Sequence, residues 1–223
     1  AGTTNILLDA GPGTFANLQR WGDPAAIDAV VLTHEHPDHW TDLESFGVWA
    51  GYGPGRARFA DADADAVSLP VYAPPGLRQW SHLAEASWLE WHELSPSMVI
   101  TVGEMQARFV ATDHGPPTLA VLLVHQGASL AYSADSGPGW TVAELDDAVG
   151  TFLCEATFTQ EREGTFQHLS GRQAGAMAQA AQVGRLILTH RWPTVSADAV
   201  RREAELAFGR EVSQASLGDV FDW

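Results

Sequence analysis

Three histidines, a glutamate and an aspartate fall within six positions in AVVLTHEHPDHWTDL: His34, Glu35, His36, Asp38 and His39. Imidazole nitrogens and carboxylate oxygens are the donors that zinc, manganese and iron accept. Core packing gives no reason to place this set directly after the apolar run VVLT, so the cluster reads as metal chemistry. Further donors close other apolar runs: His114 ends MQARFVATDH, Asp135 ends LAYSAD, and His190 ends RLILTH. Alone, either histidine would read as a packed or surface residue, and Asp135 as the opening of a turn. Together they sit where strand ends on one side of a sheet assemble sites from distant sequence.

The elements that must position these groups are legible in outline. NILLDAG reads as a strand entering the loop GPGTF, which lacks the Gly-Lys-Ser/Thr ending of a phosphate-cradling loop. A helix follows through Phe15 and Leu18. IDAVVLTH is nearly all apolar and predicts a strand buried on both faces. LESFGVWAGY predicts a helix, residues 51–70 a solvated acidic loop, LPVYAP a strand and PPGLRQWSHLAEA a helix. Asp61, Asp63 and Asp65 alternate as in a calcium loop, but Ala66 stands where glycine is needed and Tyr72 where glutamate is. WLEWHEL, MVITVG, MQARFVAT, TLAVLLVH and ASLAYSAD follow as strands with turns between them, a pattern typical of antiparallel β structure. TVAELDDAVG predicts a short helix and TFLCEATF a strand. Ser170 and Gln173 form a capping box for a helix whose apolar face is Ala174, Met177, Ala178 and Ala181, ending at Gly184. SADAVRREAELAF predicts a last helix, apolar at Val200, Ala204, Ala207 and Phe208.

The chain has 223 residues, 45% hydrophobic, enough for a real core in one larger domain. No apolar run approaches the length of a membrane span, and no signal-like opening is present, so the cytoplasm is the expected compartment. The net charge is −16 and all 12 basic residues are arginines. That balance argues against a large nucleic-acid footprint and leaves room for a small anionic substrate. The single cysteine, Cys154, excludes an internal disulfide and reads as a buried strand residue.

His34-Glu35-His36-Pro37-Asp38-His39 is an HxHxDH motif, and with LLDAGPGT before it and SADSG and LILTH after it the whole chain resembles the metallo-β-lactamase superfamily. The resemblance implies an α/β (α+β) fold: a four-layer αβ/βα sandwich with two mixed sheets flanked by helices, a single domain over residues 1–223. It implies two divalent metal ions, zinc before manganese or iron. His34, His36 and His114 would hold the first, Asp38, His39 and His190 the second, and Asp135 would bridge them. Two cations roughly 3.5–4 Å apart need a shared anionic ligand, which a carboxylate can supply. His36 occupies the place of the glutamate found in the flavo-diiron branch, which favours hydrolysis over redox chemistry. Relatives start with a further strand and loop, so the first hairpin is expected to be missing, leaving a bare sheet edge.

CEATF and HLSGRQAGAMAQAAQVGRLILTH resemble the tRNase Z-like phosphodiesterase branch. There Glu155 and His168 match a glutamate–histidine pair beside the metals. The resemblance implies phosphodiester cleavage by a hydroxide bridging the two metals. Asp38 would orient the attacking water and accept its proton. His168 would protonate the leaving alkoxide, kept charged and correctly turned by Glu155. An arm that clamps RNA has no room in the 18 residues between Asp135 and Cys154. The pattern is closer to small phosphodiesterases that open a cyclic nucleotide. The alternative is a tRNA 3′-processing endonuclease, and beyond it a metal-dependent oxygenase, a non-catalytic metal protein or another hydrolase of this fold. A homodimer is the expected assembly by analogy. Trp40 and Trp192 adjoin ligands and read either as a base-stacking wall or as core packing. His82, His92 and His125 read as structural or surface residues.

Overall fold

A computed structural model describes residues 2–61 and 66–223. Asp63 and Asp65 of the acidic loop lie outside the described residues. The chain divides into two compact units, Ala1–Ser95 with Thr101–Met105, and Pro96–Ile100 with Gln106–Trp223.

In the first unit the apolar runs become a four-stranded sheet, and the polar-faced segments between them become helices. Strand β1 (Ile6–Leu8) leads through the glycine loop to helix α1 (Thr14–Trp21), and β2 is the fully buried Ala29–Val31. The histidine motif follows at once. Pro37 opens the short helix α2 (Pro37–Trp40), where a proline costs no hydrogen bond. It also holds His36 extended, at ψ 134°. Helix α3 (Asp42–Tyr52) carries Asp42 and Glu44 in its first turn, where they meet the positive end of the helix dipole. Helix α4 (Arg56–Phe59) and strands β3 (Leu69–Ala73) and β4 (Leu89–Glu93) complete the unit. Strand order is β1-β2-β3-β4, and every pairing is parallel. The sheet buries Val30, Leu32, Leu69, Val71 and Leu89 against Leu43, Phe46 and Ala50 of α3. Phe46 stacks on Phe15 of α1 at 5.6 Å between ring centroids, so both helices share one apolar layer. Trp40 belongs to this core.

The second unit is built on a seven-stranded sheet, ordered β11-β10-β9-β8-β7-β6-β5. Its strands are β5 (Val99–Val102), β6 (Met105–Ala111), β7 (Leu119–His125), β8 (Ala128–Tyr132), β9 (Thr151–Glu155), β10 (Arg185–Thr189) and β11 (Ser213–Gln214). The turn at residues 126–127 joins β7 and β8 antiparallel, as β6 and β7 are, whereas β8, β9, β10 and β11 pair in parallel. Parallel neighbours need crossovers, and helix α5 (Gly171–Ala180) supplies the one between β9 and β10, helix α6 (Ala197–Phe208) the one between β10 and β11. The Ser170–Gln173 capping box forms as predicted. Ala174, Ala178, Val200, Ala204 and Phe208 pack on Phe152, Cys154, Leu186 and Leu188. The helices meet backbone to backbone: a Cβ on Gly171 would lie 2.1 Å from the Val200 carbonyl oxygen, and one on Gly175 2.3 Å from that of Ala204.

Several local expectations change. Where two mixed sheets are predicted, the four-stranded one is parallel throughout. WLEWHEL is β4, parallel to β3, and not part of an antiparallel run. PPGLRQWSHLAEA forms only a 3-10 turn at Leu77–Trp80, and TVAELDDAVG only one at Val142–Glu144. The GPGRAR stretch carries α4 where a loop is predicted. Helix α5 stops at Ala180, before Gly184.

Candidate active site

In the first unit the motif lies on the turn from β2 into α2. The loop after β1 clamps it from behind: Ala10 N–H donates to His39 O at 2.6 Å, and Asp42 N–H to Ala10 O at 2.8 Å. Gly11 is packed so closely on this turn that a Cβ would stand 1.9 Å from the Asp38 carbonyl oxygen. The three imidazoles are drawn together, His34 to His39 at 4.1 Å and His34 to His36 at 4.8 Å between ring centroids. Asp38 lies with a carboxylate oxygen 3.8 Å from His39 Nε2, its side chain 63% exposed. Glu35 turns elsewhere, accepting from Trp80 Nε1 at 3.2 Å.

Asp9, at the end of β1, orders this turn. One oxygen accepts from Thr33 N–H at 2.8 Å. The other accepts from Thr33 Oγ1 at 2.9 Å and meets His39 Nδ1 at 2.7 Å. The Thr33 hydroxyl has one proton and gives it to Asp9, so its oxygen accepts from His34 Nδ1, 3.1 Å away. Both imidazoles thus carry their proton on Nδ1 and present the Nε2 lone pair.

The second unit repeats the device with Glu155, fully buried at the end of β9. One oxygen accepts from Ser136 N–H at 2.7 Å and from His168 Nδ1 at 2.9 Å. The other accepts from Thr157 Oγ1 at 2.7 Å and from Leu169 N–H at 3.1 Å. Thr157 also approaches His190 Nδ1 at 3.0 Å and the His190 carbonyl at 3.1 Å. The carboxylate is the stronger acceptor, so the hydroxyl proton goes to Glu155 and the oxygen accepts from His190 Nδ1. His114 Nδ1 donates to Gln167 O at 3.0 Å.

Four side chains of the second unit then converge: Asp135, His114, His168 and His190. Asp135, 2% exposed, lies 3.2 Å from His190 Nε2 and 3.7 Å from His114 Nε2. Asp135, His168 and His190 each offer a ligand atom within 4.8 Å of the others. A buried carboxylate ringed by imidazole lone pairs suits a divalent cation, and the Nδ1 hydrogen bonds are the outer contacts that fix metal-binding histidines. The donor set therefore fits a metal. The backbone bends to reach this arrangement: His190, Ala134 and Asp9 hold φ of 53°, 51° and 57°, a left-handed region costly for side chains other than glycine.

The model of the beta-lactamase superfamily domain matches residues 4–191. The chain belongs to the β-lactamase superfamily. It is 33% identical over 236 residues to the uncharacterized protein Rv1339 of Mycobacterium tuberculosis, covering 99% of this chain and 82% of that one. It is 30% identical over 252 residues to a protein named ribonuclease Z in Mycolicibacterium gilvum, covering 98% and 85%. Among solved structures, the metallo-β-lactamase fold protein YhfI of Bacillus subtilis superposes with a TM-score of 0.86 at 24% identity, covering 99% of this chain and 88% of that one. The fold is thus the metallo-β-lactamase fold, with two sheets flanked by helices, and this superfamily is one of metallo-hydrolases. Among the described residues, no helix is long and apolar enough to cross a membrane.

Each expected metal-binding residue lies at a strand end or on the turn after it, as does Glu155, whereas His168 lies in the loop just before α5. The sequence reading missed Asp9, Thr33 and Thr157. Their signal is slight: an acid closing the apolar run NILL, a threonine just before His34, and another two positions after Glu155. Cys154 is fully buried, and burial, with the Glu155 carboxylate beside it, pushes its thiol well above the ordinary range. It has no part in the chemistry. Among the other histidines, His92 stacks on Tyr72 at 4.8 Å.

Proposed function

We propose that the chain is a hydrolase that cleaves phosphodiester bonds with a pair of divalent cations. His34, His36 and His114 would hold one ion, Asp38, His39 and His190 the other, and Asp135 both, most plainly as zinc. The observation that carries this reading is the shared tautomer: His34, His39, His114 and His190 all have Nδ1 engaged and offer Nε2. Bound cations would supply charge against the phosphate oxygens and would lower the pKa of a water to about 7.

The chain's own groups supply the rest. Asp38, exposed and next to His39 Nε2, orients the attacking water and takes its proton. His168 is turned by Glu155 so that Nε2 faces away from that carboxylate, where it delivers a proton to the leaving alkoxide. Asp135 lies 4.0 Å from His168 Nδ1, farther than Glu155, so Glu155 governs the ring.

A cyclic nucleotide is the substrate we favour. The chain is acidic overall, and between Asp135 and the start of β9 residues 136–150 hold only a single 3-10 turn, with no arm to clamp RNA. The similarity to ribonuclease Z favours tRNA 3′ processing as the second reading. Purified protein loaded with Zn²⁺ or Mn²⁺ is assayed in parallel on cyclic AMP, cyclic GMP, bis-p-nitrophenyl phosphate and a precursor tRNA. Opening of a cyclic nucleotide to its monophosphate is expected, with the tRNA left intact. Cleavage of the tRNA alone would move the protein to the second reading. No cleavage of any diester would end both.

A further inference from the structure

Two residues beyond His190 and two before His168, the second unit places aromatic rings in contact. Phe166 is 53% exposed, and its ring meets Trp192 at 5.2 Å with planes 67° apart. Trp192 is half-buried and fixed from below by Phe158 at 6.2 Å, and its backbone N–H donates to Thr157 O at 3.1 Å. The Arg162 guanidinium lies 5.4 Å from the centroid of the Trp192 ring. The exposed Phe166 ring is braced against a second ring instead of tucked into the core, so the two present a joint aromatic surface. Arg162 thus brings a cation to this ring pair.

We infer that Phe166 and Trp192, with Arg162, form a stacking platform for the nucleobase of the substrate, and so set its preference for base-bearing nucleotides. The inference rests on the phosphodiesterase reading for the orientation of the ligand. Two residues of chain span at most roughly 7 Å, so the platform lies within one nucleoside's reach of His168 and His190. An aromatic face accepts any base, because every base has a π-face, and the guanidinium adds attraction for the ring and for the phosphate. The sequence motif alone leaves Trp192 open to a role in the core; the exposed partner ring assigns it to the ligand.

The test separates base recognition from turnover. Binding of AMP and of ribose 5-phosphate to the metal-loaded protein is measured by equilibrium dialysis, for the wild type, Phe166→Ala and Phe166→Tyr. Phe166 is exposed, so neither change threatens folding, which circular dichroism verifies. AMP is expected to bind roughly 5- to 150-fold more tightly than ribose 5-phosphate, with the preference lost in Phe166→Ala and kept in Phe166→Tyr. Equal binding of both ligands by the wild type, or an unchanged preference in Phe166→Ala, overturns the platform. If the base preference appears but no cyclic phosphodiester is opened, the platform stands and the phosphodiesterase reading fails.

Discussion

His39 Nδ1 lies 2.7 Å from a carboxylate oxygen of Asp9, thirty positions earlier in the chain. The same oxygen takes the Thr33 hydroxyl proton, and Thr33 in turn receives the proton of His34. One buried acid thereby sets the tautomer of two histidines, His34 and His39. Asp9→Asn keeps the size but removes the charge. Metal affinity is expected to fall 10- to 100-fold. Titration with a fluorescent zinc chelator reads this directly, and an unchanged affinity would show that Asp9 serves only the fold.

Glu155 does for the second unit what Asp9 does for the first, through Thr157. Thr157→Val keeps the shape and deletes the hydroxyl between Glu155 and His190. The variant should bind metal more weakly, while Thr157→Ser restores the affinity. Equal metal content in Thr157→Val and wild type after dialysis against a graded chelator series would remove the hydroxyl from the ligand network.

His168 also meets Glu155, at 2.9 Å, and the proposed mechanism gives it the proton for the leaving group. His168→Ala is expected to retain the wild-type metal content and to lose roughly 10²- to 10⁴-fold in turnover of the diester the protein cleaves. Full turnover in the variant would take His168 out of the mechanism. Loss of metal together with turnover would make it a ligand instead.

Helices α5 and α6 cover the second sheet through the Gly175–Ala204 approach. A methyl group at position 175 meets main chain, which cannot swing aside as a side chain would. Gly175→Ala should therefore cost about 1–3 kcal/mol in urea unfolding, against the usual gain of a helical alanine over glycine. A stabilised variant would mean that the helices separate without loss.

The site was more legible than the frame around it, and for a physical reason. Histidines and acids at strand ends announce themselves by residue type, as His34, Asp135 and His190 do. Asp9 and Thr157 act through hydrogen bonds to residues distant in sequence, and nothing in their neighbours marks those partners. Helix expectations failed where side chains compete for the backbone. In PPGLRQWSHLAEA, Ser81 Oγ accepts from Leu83 N–H at 3.0 Å and Arg78 Nε donates to Ala84 O at 2.9 Å, closing turns in place of a helix. In TVAELDDAVG the Thr141–Glu144 capping box closes one 3-10 turn, and Asp146 then turns the chain by accepting from Ala148 N–H. WLEWHEL shows the limit of periodicity: alternation identifies a strand but not its neighbour, and the neighbour is β3.

Glu163 offers a pH test outside the metal site. It accepts from Arg172 Nε at 2.9 Å and from Ser170 Oγ at 2.5 Å, bracing the start of α5 just after His168. The hydrogen bond from Arg172, aided by Ser170, holds its carboxyl below the usual range, although partial burial works the other way. A carboxyl depressed in the folded state binds fewer protons there than in the unfolded chain. Its stabilisation is therefore complete above the unfolded value of about 4.3 and is lost as pH falls through the folded one. Glu163→Gln should cost roughly 0.2–1 kcal/mol at pH 7 and less at about pH 3. Urea unfolding of both proteins at the two pH values measures it. A gap that persists undiminished in acid would show that shape, and not charge, ties Glu163 to the helix.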